Sequence, residues 1–199
     1  MIFTGERVIP DQMNGDTLTL QEHLARYIWA LQFCHNKKVL DVACGTGYGL
    51  EILSMVASEV VGADLENEAL KYAREYYQFH GKPSLLMSCD FSKQTFKEFA
   101  NEGEFDVITS FETIEHLEDP RFFLDNVFKA LAPGGVFLFS IPNANPSQFH
   151  KQVYDLEGAK KLISQNFYNV AWQGQELKMG QKITNETKFF LGVAFKNLI

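Results

Sequence analysis

The amino-acid sequence predicts a doubly wound α/β fold, and three observations predict it. Short apolar runs, typical of buried parallel strands, alternate with segments of helical period along most of the chain. Residues 39–49 form one such unit: a buried strand, a glycine-rich turn and the start of a helix. Polar residues follow several predicted strands, and the carboxyl ends of parallel strands meet at one edge of a sheet. We therefore expect seven strands, mostly parallel with an antiparallel C-terminal strand, and helices on both faces.

Each element has its own local pattern. Leu24, Tyr27 and Leu31 recur at helical spacing and predict a helix over 19–33. Apolar runs predict strands at 39–42, 59–64, 84–89, 105–110, 136–142, 168–176 and 188–196. Helical spacing predicts helices at 48–57, 93–100, 121–131 and 155–165. A further helix is expected to begin at 67 and to end at the Gly-Lys-Pro sequence at 81–83. The Pro-Gly-Gly sequence at 133–135 is expected to turn the chain into the fifth strand, and the last two strands are expected to form an antiparallel pair.

Length and composition indicate one domain with its own core. Of the 199 residues, 46% are hydrophobic and 22% are charged. The 18 Lys and Arg against 25 Asp and Glu give a net charge of −7, which disfavours nucleic acid and anionic membranes as partners. No apolar stretch reaches the roughly 18 residues of a membrane span. The first residues lack a signal-peptide pattern and the 3 cysteines are scattered, so we expect a cytoplasmic protein with reduced thiols. The sequence leaves open whether the protein forms a homodimer.

The first 18 residues show no clear period and are interpreted as an N-terminal arm or lid. An ordinary mobile terminus explains the same composition. The remaining residues, 19–199, are expected to form a single domain. Two lengths of chain, this arm and the polar loop at 143–149, would then wall a cleft at the carboxyl edge of the sheet.

The glycine-rich turn indicates an adenosine-containing ligand without a pyrophosphate. Its glycines let the backbone approach a ligand closely, but Leu50 stands near the position where a dinucleotide motif places its third glycine. Asp41 puts a carboxylate beside the turn, which disfavours two phosphates and favours an ammonium group. Asp64 ends the next apolar run, where an acid that binds ribose is found in this kind of fold. S-adenosyl-L-methionine, a zwitterionic amino acid joined to adenosine by a sulfonium, fits these features.

The sequence Asp-Val-Ala-Cys-Gly-Thr-Gly-Tyr-Gly at 41–49 resembles motif I of the class I S-adenosylmethionine-dependent methyltransferases. It is most similar to the branch that contains sugar and other small-molecule O-methyltransferases and the ubiquinone-biosynthesis type. The resemblance extends from about residue 20 to the C-terminus. Ala43 departs from the glycine of many members, but alanine is small enough to be tolerated. The resemblance implies a Rossmann-like fold and S-adenosyl-L-methionine as the cofactor.

The resemblance also implies roles for individual residues. Asp41 would hold the methionine end of the cofactor and Asp64 the ribose hydroxyls. Asp90 would accept a hydrogen bond from the adenine amine while Phe91 packs on the base, although Asp90 would equally well cap a helix. Tyr27 would reach the methionine part, with a core position as its alternative. The further cofactor contacts expected are Ala43, Gly45, Thr46, Gly47, Leu65 and Phe111.

Residues 111–116, Phe-Glu-Thr-Ile-Glu-His, follow the fourth strand, where relatives transfer the methyl group. A helix that begins here would turn Glu112, Glu115 and His116 toward the cleft, and His150 lies on the next loop. We expect His116 or His150 to act as a general base that deprotonates a hydroxyl acceptor. In some relatives a similar Glu-x-x-Glu-His run holds Mg²⁺, which we do not favour here. Local structural roles for these side chains are the other interpretation.

These observations predict an S-adenosylmethionine-dependent methyltransferase of a small molecule, acting on a hydroxyl of a sugar or another metabolite. N- or C-methylation of a metabolite is a further alternative, as is a non-catalytic protein that binds S-adenosylmethionine. A nicotinamide-dependent oxidoreductase is disfavoured by Asp41 and by the lack of a third motif glycine.

Overall fold

The computed structural model of the protein describes residues 8–10, 17–98, 100–176, 179–184 and 186–197. Its strands are β1 (Lys38–Val42), β2 (Glu59–Asp64), β3 (Ser84–Ser88), β4 (Phe105–Phe111), β5 (Leu131–Pro142), β6 (Asn169–Gln175) and β7 (Phe189–Phe195). Its α-helices are α1 (Thr17–Cys34), α2 (Tyr48–Ser54), α3 (Asn67–Tyr76), α4 (Pro120–Ala130) and α5 (Leu156–Ile163). Short 3₁₀ turns lie at Phe79–Gly81, Phe96–Glu98 and Ile114–His116.

The seven strands form one sheet in the order β3-β2-β1-β4-β5-β7-β6. The strands β1 to β5 pair in parallel, whereas β7 runs antiparallel between β5 and β6. The chain order reverses between β1 and β4, and such a switch point opens a crevice at the carboxyl ends of the strands. The predicted doubly wound sheet with an antiparallel C-terminal strand is therefore confirmed.

Helices cover both faces of the sheet, and each face has its own apolar core. On one face Tyr27 of α1, Leu50 of α2 and Leu70 of α3 are buried together. On the other face the core includes Phe123 of α4 and Ile163 of α5. Because both faces are covered, the inner strands are apolar along their whole length, which explains why the sequence shows runs rather than alternation.

Two predicted helices differ from the structure. The segment predicted as a helix over 93–100 contains only the 3₁₀ turn at 96–98, and residue 99 lies outside the described residues. Helix α3 ends at Tyr76, before the predicted Gly-Lys-Pro stop, because Tyr77 is extended with φ of −122° and ψ of 147°. Phe79 and His80 then adopt left-handed backbone with φ of 49° and 50°, so the helix does not resume. Left-handed residues cannot continue a right-handed helix.

The Pro-Gly-Gly sequence at 133–135 does not separate α4 from β5, contrary to the prediction. The strand begins at Leu131, directly after the helix, and Leu131 already pairs with Phe105. The register then shifts before Val136 pairs with Val107. The three residues therefore form an irregularity inside the strand, where glycine and proline are tolerated.

The N-terminal arm lies largely outside the described residues, which include only 8–10 of its 18 positions. Among the described helices, none combines the length and the apolar character that crossing a bilayer requires.

Candidate active site

The carboxyl edge of the sheet concentrates backbone strain. Ala43, Glu112 and Ala144 follow β1, β4 and β5, and all three have positive φ, at 58°, 51° and 45°. A non-glycine residue in this region costs of order 1–3 kcal/mol, and such strain is most common at functional sites. The strained residues stand at the edge where the sequence placed the ligand site.

The glycine-rich turn between β1 and α2 is built on close packing. Gly45 and Gly47 have φ of 55° and 86°. A Cβ on Gly47 would come within 2.6 Å of the Cβ of Ala73 in α3, and a Cβ on Gly49 would come within 2.1 Å of the Tyr27 ring. Gly47 must therefore be glycine because of its positive φ and because a Cβ has no room there. Gly49 must be glycine because a Cβ has no room there.

Asp41 lies at the bottom of the site and is fully buried. It accepts hydrogen bonds from the Tyr27 hydroxyl at 3.1 Å and from the Thr109 hydroxyl at 2.6 Å. Burial raises the pKa of Asp41 to about 7, although these two hydrogen bonds oppose the shift. The Tyr27 ring has the predicted core position: it is 5% exposed and packs edge-on against Phe111, which is also buried. Its hydroxyl reaches the candidate site, where it donates to Asp41.

Asp64 ties the end of β2 to the glycine-rich turn. Its carboxylate accepts the backbone N–H of Gly45 at 2.8 Å and that of Glu66 at 2.9 Å, and the side chain is 3% exposed. Leu65, the next residue, is 56% exposed although it is apolar. A buried acid beside an exposed leucine offers a hydrogen-bonding group and an apolar surface together, as a nucleoside requires.

Asp90 and Phe91 follow β3. The Asp90 carboxylate accepts the Ser92 backbone N–H at 3.1 Å and pairs with Lys93 at 3.0 Å, and the hydrogen bond from Lys93 lowers the pKa of Asp90. The Phe91 ring is 5% exposed and packs edge-on against Phe96 and Phe123. Asp90 therefore stabilises a turn, and Phe91 places little of its ring at the surface.

Thr46 connects the glycine-rich turn to the described part of the N-terminal arm. Its side chain is fully buried, and its hydroxyl donates to the Val8 carbonyl oxygen at 3.1 Å. Val8 and Ile9 are 7% and 1% exposed. This short segment of the arm therefore packs against the turn that carries the predicted cofactor site.

Glu112 does not begin a helix, contrary to the prediction. Its left-handed backbone is held by its N–H, which donates to the Ser140 hydroxyl at 2.9 Å. Its carboxylate forms an ion pair with Arg26 and lies 3.4 Å from the His23 Nε2. Burial raises the pKa of Glu112, but the charges of Arg26 and His23 outweigh it and hold the pKa below its usual value.

Glu115, His116 and His150 form a compact cluster. Each offers one ligand atom, and these atoms lie within 4.8 Å of one another. Glu115 is 1% exposed, and neither carboxylate oxygen has a hydrogen-bond partner among the described residues. Burial and the nearby Glu112 carboxylate raise the pKa of Glu115 to about 8. The two imidazole rings meet edge-on with 4.9 Å between their centroids.

Backbone carbonyls fix the tautomers of both histidines. The Nδ1 of His116 donates to the Phe149 carbonyl at 3.2 Å, and the Nδ1 of His150 donates to the Asn145 carbonyl at 2.6 Å. A carbonyl only accepts, so in the neutral form each ring carries its lone pair on Nε2. Imidazoles held in this way are typical of metal ligands and of catalytic bases.

Buried polar atoms without a hydrogen-bond partner gather at this edge. Within the described residues they include the Nη2 of Arg26, the Ser110 hydroxyl and both carboxylate oxygens of Glu115. Native proteins leave few such atoms, and a bound ligand is one reason for them. The arrangement offers carboxylates at Asp41 and Asp64 that suit a nucleoside carrying an amino acid, and a cluster around Glu115 that can take up a proton or a cation.

Two residues that shape the site, Arg26 and Gln175, were not among the predicted site residues. Arg26 is fully buried and donates through Nε to Gln175, which is also fully buried, at 2.7 Å. Gln175 in turn donates to the Glu22 carbonyl at 2.9 Å. These residues are far apart in the sequence, so no local pattern reports their contact.

Comparison with known proteins identifies the family. A family model described as a methyltransferase domain matches residues 19–188. The chain is 33% identical over 145 residues to a probable S-adenosylmethionine-dependent methyltransferase of Mycolicibacterium smegmatis, covering 71% of this chain and 51% of that protein. It is 32% identical over 167 residues to the ubiquinone biosynthesis O-methyltransferase of Thiobacillus denitrificans, covering 81% of this chain and 70% of that protein. The chain thus spans about half the length of the first relative.

A solved structure supports the same fold. The S-adenosylmethionine-dependent methyltransferase of Mesorhizobium loti superposes with a TM-score of 0.68 over 87% of this chain and 99% of that chain, at 18% identity. The family model, the curated relatives and this sheet agree, and the chain belongs to the class I S-adenosylmethionine-dependent methyltransferases.

Proposed function

We propose that the protein transfers a methyl group from S-adenosyl-L-methionine to a hydroxyl of a small molecule, with a sugar or another metabolite as the acceptor. The observation that carries the proposal is the cluster of Glu115, His116 and His150, which follows β4 and β5 at the carboxyl edge of the sheet. Transfer to a hydroxyl requires removal of a proton, and this cluster supplies groups able to promote it. The ubiquinone biosynthesis O-methyltransferases among the relatives support oxygen as the acceptor atom.

The cofactor side is assigned to the residues of the turn and to the ends of β2 and β3. When bound, S-adenosyl-L-methionine supplies a methyl group already activated by its sulfonium. Asp41 and the turn glycines would hold the methionine end, and Asp64 the ribose hydroxyls. Leu65 offers its exposed side chain to the adenine. Asp90 would accept a hydrogen bond from the adenine amine, and the buried ring of Phe91 would pack beneath the adenine site.

The cluster of Glu115, His116 and His150, on the side where the acceptor would bind, is better suited to hold a divalent cation than to act through a free imidazole base. Glu115 has two buried oxygens without a hydrogen-bond partner among the described residues, and its ligand atom lies within 4.8 Å of a ring nitrogen of each of the two imidazoles. Two imidazoles and one carboxylate suit first-row transition metals such as Mn²⁺, Fe²⁺ or Zn²⁺ better than Mg²⁺, which prefers oxygen ligands. A cation held there would lower the pKa of an acceptor hydroxyl. In the alternative, Nε2 of His116 or His150 accepts the proton directly.

The N-terminal arm is assigned as a lid over the cofactor. The hydrogen bond from Thr46 to Val8 and the burial of Ile9 support this assignment, because they attach the arm to the turn that would hold the methionine end. The net charge of −7 favours a small-molecule acceptor over nucleic acid. N- or C-methylation and a non-catalytic binding role remain alternatives, whereas an NAD-dependent oxidoreductase is disfavoured.

Calorimetry with S-adenosyl-L-methionine, and with NAD as the control ligand, tests the cofactor assignment. We expect micromolar binding of the first and none of the second. Transfer of a labelled methyl group to a panel of sugars, catechols and amines, with and without a chelator, then tests the acceptor side. His150→Gln should abolish transfer to hydroxyls, whereas His35→Gln, an exposed histidine outside the cluster, should not change it. No binding of S-adenosyl-L-methionine would refute the proposal.

A further inference from the structure

Arg26 is a buried cation that joins three parts of the fold near the cluster. It is fully buried in α1, donates through Nε to Gln175 of β6 at 2.7 Å, and pairs with Glu112 at the end of β4. Its guanidinium carbon lies 4.3 Å from the centre of the Phe189 ring of β7. A guanidinium held from three sides loses little further entropy when it forms an ion pair, so it is a strong anchor for Glu112.

Glu112 is thereby held outside the cluster although it lies three residues before Glu115. Its ligand atoms are not among those of Glu115, His116 and His150 that lie within 4.8 Å of one another. The left-handed backbone of Glu112 and its hydrogen bond to Ser140 set the direction of its side chain, and Arg26 receives the carboxylate. A helix starting at Glu112 would instead have placed both glutamates on one face.

We propose that Arg26 is a positioning residue that withholds Glu112 from the cation site, so that a bound cation has three protein ligands and keeps open positions for the acceptor. This inference rests on the cation site of the proposed function. Catalytic metal sites commonly use three protein ligands and leave a position open, whereas a fourth protein ligand closes a site of the structural kind. Arg26 therefore acts on the reaction through Glu112 and touches neither acceptor nor cofactor in this assignment.

Binding of Mn²⁺ alone tests the inference without an identified acceptor. Electron paramagnetic resonance measures the affinity, and water-proton relaxation measures how many waters remain on the bound ion. Arg26→Met removes the anchor and one positive charge, so we expect the affinity to rise about tenfold and one bound water to be lost. The double variant Arg26→Met/Glu112→Gln restores the local charge and removes the extra ligand, so both quantities should return to wild-type values within about threefold.

Two further variants control for stability and for ligation. Lys38→Met removes a cation with ion pairs to Glu59 and Glu104 at the opposite edge of the sheet, and it should leave Mn²⁺ hydration unchanged. Because Glu112 is not a ligand in this proposal, Glu112→Gln should also leave the hydration of the bound Mn²⁺ unchanged.

Two results would overturn the inference: a gain of one water on the Mn²⁺ bound to Glu112→Gln, or equal hydration of the Mn²⁺ bound to Arg26→Met and to the wild type. If the wild type binds no Mn²⁺, the proposed cation site fails. Binding by Arg26→Met alone would then still support the withholding of Glu112, and binding by neither would refute it.

Discussion

Replacement of Asp64 by alanine should weaken both the fold and the binding of the cofactor. The carboxylate accepts the N–H groups of Gly45 at 2.8 Å and Glu66 at 2.9 Å inside the protein, where it is 3% exposed. Hydrogen bonds to a charged group contribute about 1.5–3 kcal/mol each, so the free energy of unfolding should fall by about 3–6 kcal/mol. If Asp64 also binds the ribose hydroxyls as proposed, its loss should raise the Kd of S-adenosyl-L-methionine by about 100-fold or more.

Urea denaturation of the ligand-free protein and calorimetry with S-adenosyl-L-methionine measure the two effects separately. Asp106→Ala is the matched control, because Asp106 accepts the backbone N–H of Lys38 at 2.9 Å at the opposite edge of the sheet. The control should lose stability and keep its affinity. A Kd for Asp64→Ala within about threefold of the control would refute the ribose assignment, and the acid would then serve only to shape the turn.

Two other predictions concern strain and pH. Ala43→Gly should raise the free energy of unfolding by about 1 kcal/mol in urea denaturation, because relief of the left-handed φ of 58° outweighs the added freedom of the unfolded chain; a loss of stability would show that the alanine side chain packs favourably. The pKa of Asp41 is raised from 3.8 to about 7, so its contribution to stability is complete below pH 4 and is lost as the pH rises through 7. The free energy of unfolding should therefore fall by at most about 4 kcal/mol over this pH range. Asp41→Asn should flatten the dependence of this free energy on pH, and equal pH dependence in the two proteins would contradict the raised pKa of Asp41.

The sheet, and the edge at which the candidate site residues meet, were predictable because they depend on local patterns. The strand at 59–64 has the predicted bounds, and the glycine-rich turn lies between the predicted strand and helix. Apolar runs and glycines report such elements directly, since a buried strand excludes polar residues and a tight turn excludes a Cβ. The meeting of several strand ends at one edge then follows from parallel topology alone.

The orientation of the acidic side chains was not predictable from spacing. Glu112 and Glu115 are three residues apart, which suggested one helical face, but Glu112 adopts φ of 51° and pairs with Arg26. That choice depends on a contact across 86 positions of sequence, which no local pattern reports. The aromatic ring of Phe91 was similarly placed by its contacts with Phe96 and Phe123 rather than by its neighbours in sequence.

The hydrogen bond from Arg26 to Gln175 joins residues 149 positions apart, and this separation has a consequence for biosynthesis. A ribosome that adds about 5–20 residues per second needs roughly 7–30 s to travel from one partner to the other. During that interval β1 to β5 and their helices are made, so Glu112 is available to pair with Arg26 before Gln175 exists. Folding intermediates that form on the ribosome would therefore carry this ion pair while the Nε of Arg26 still lacks its amide acceptor. Only the synthesis of β6 supplies that acceptor, so partial chains would differ from finished ones in the orientation of this guanidinium rather than in its charge.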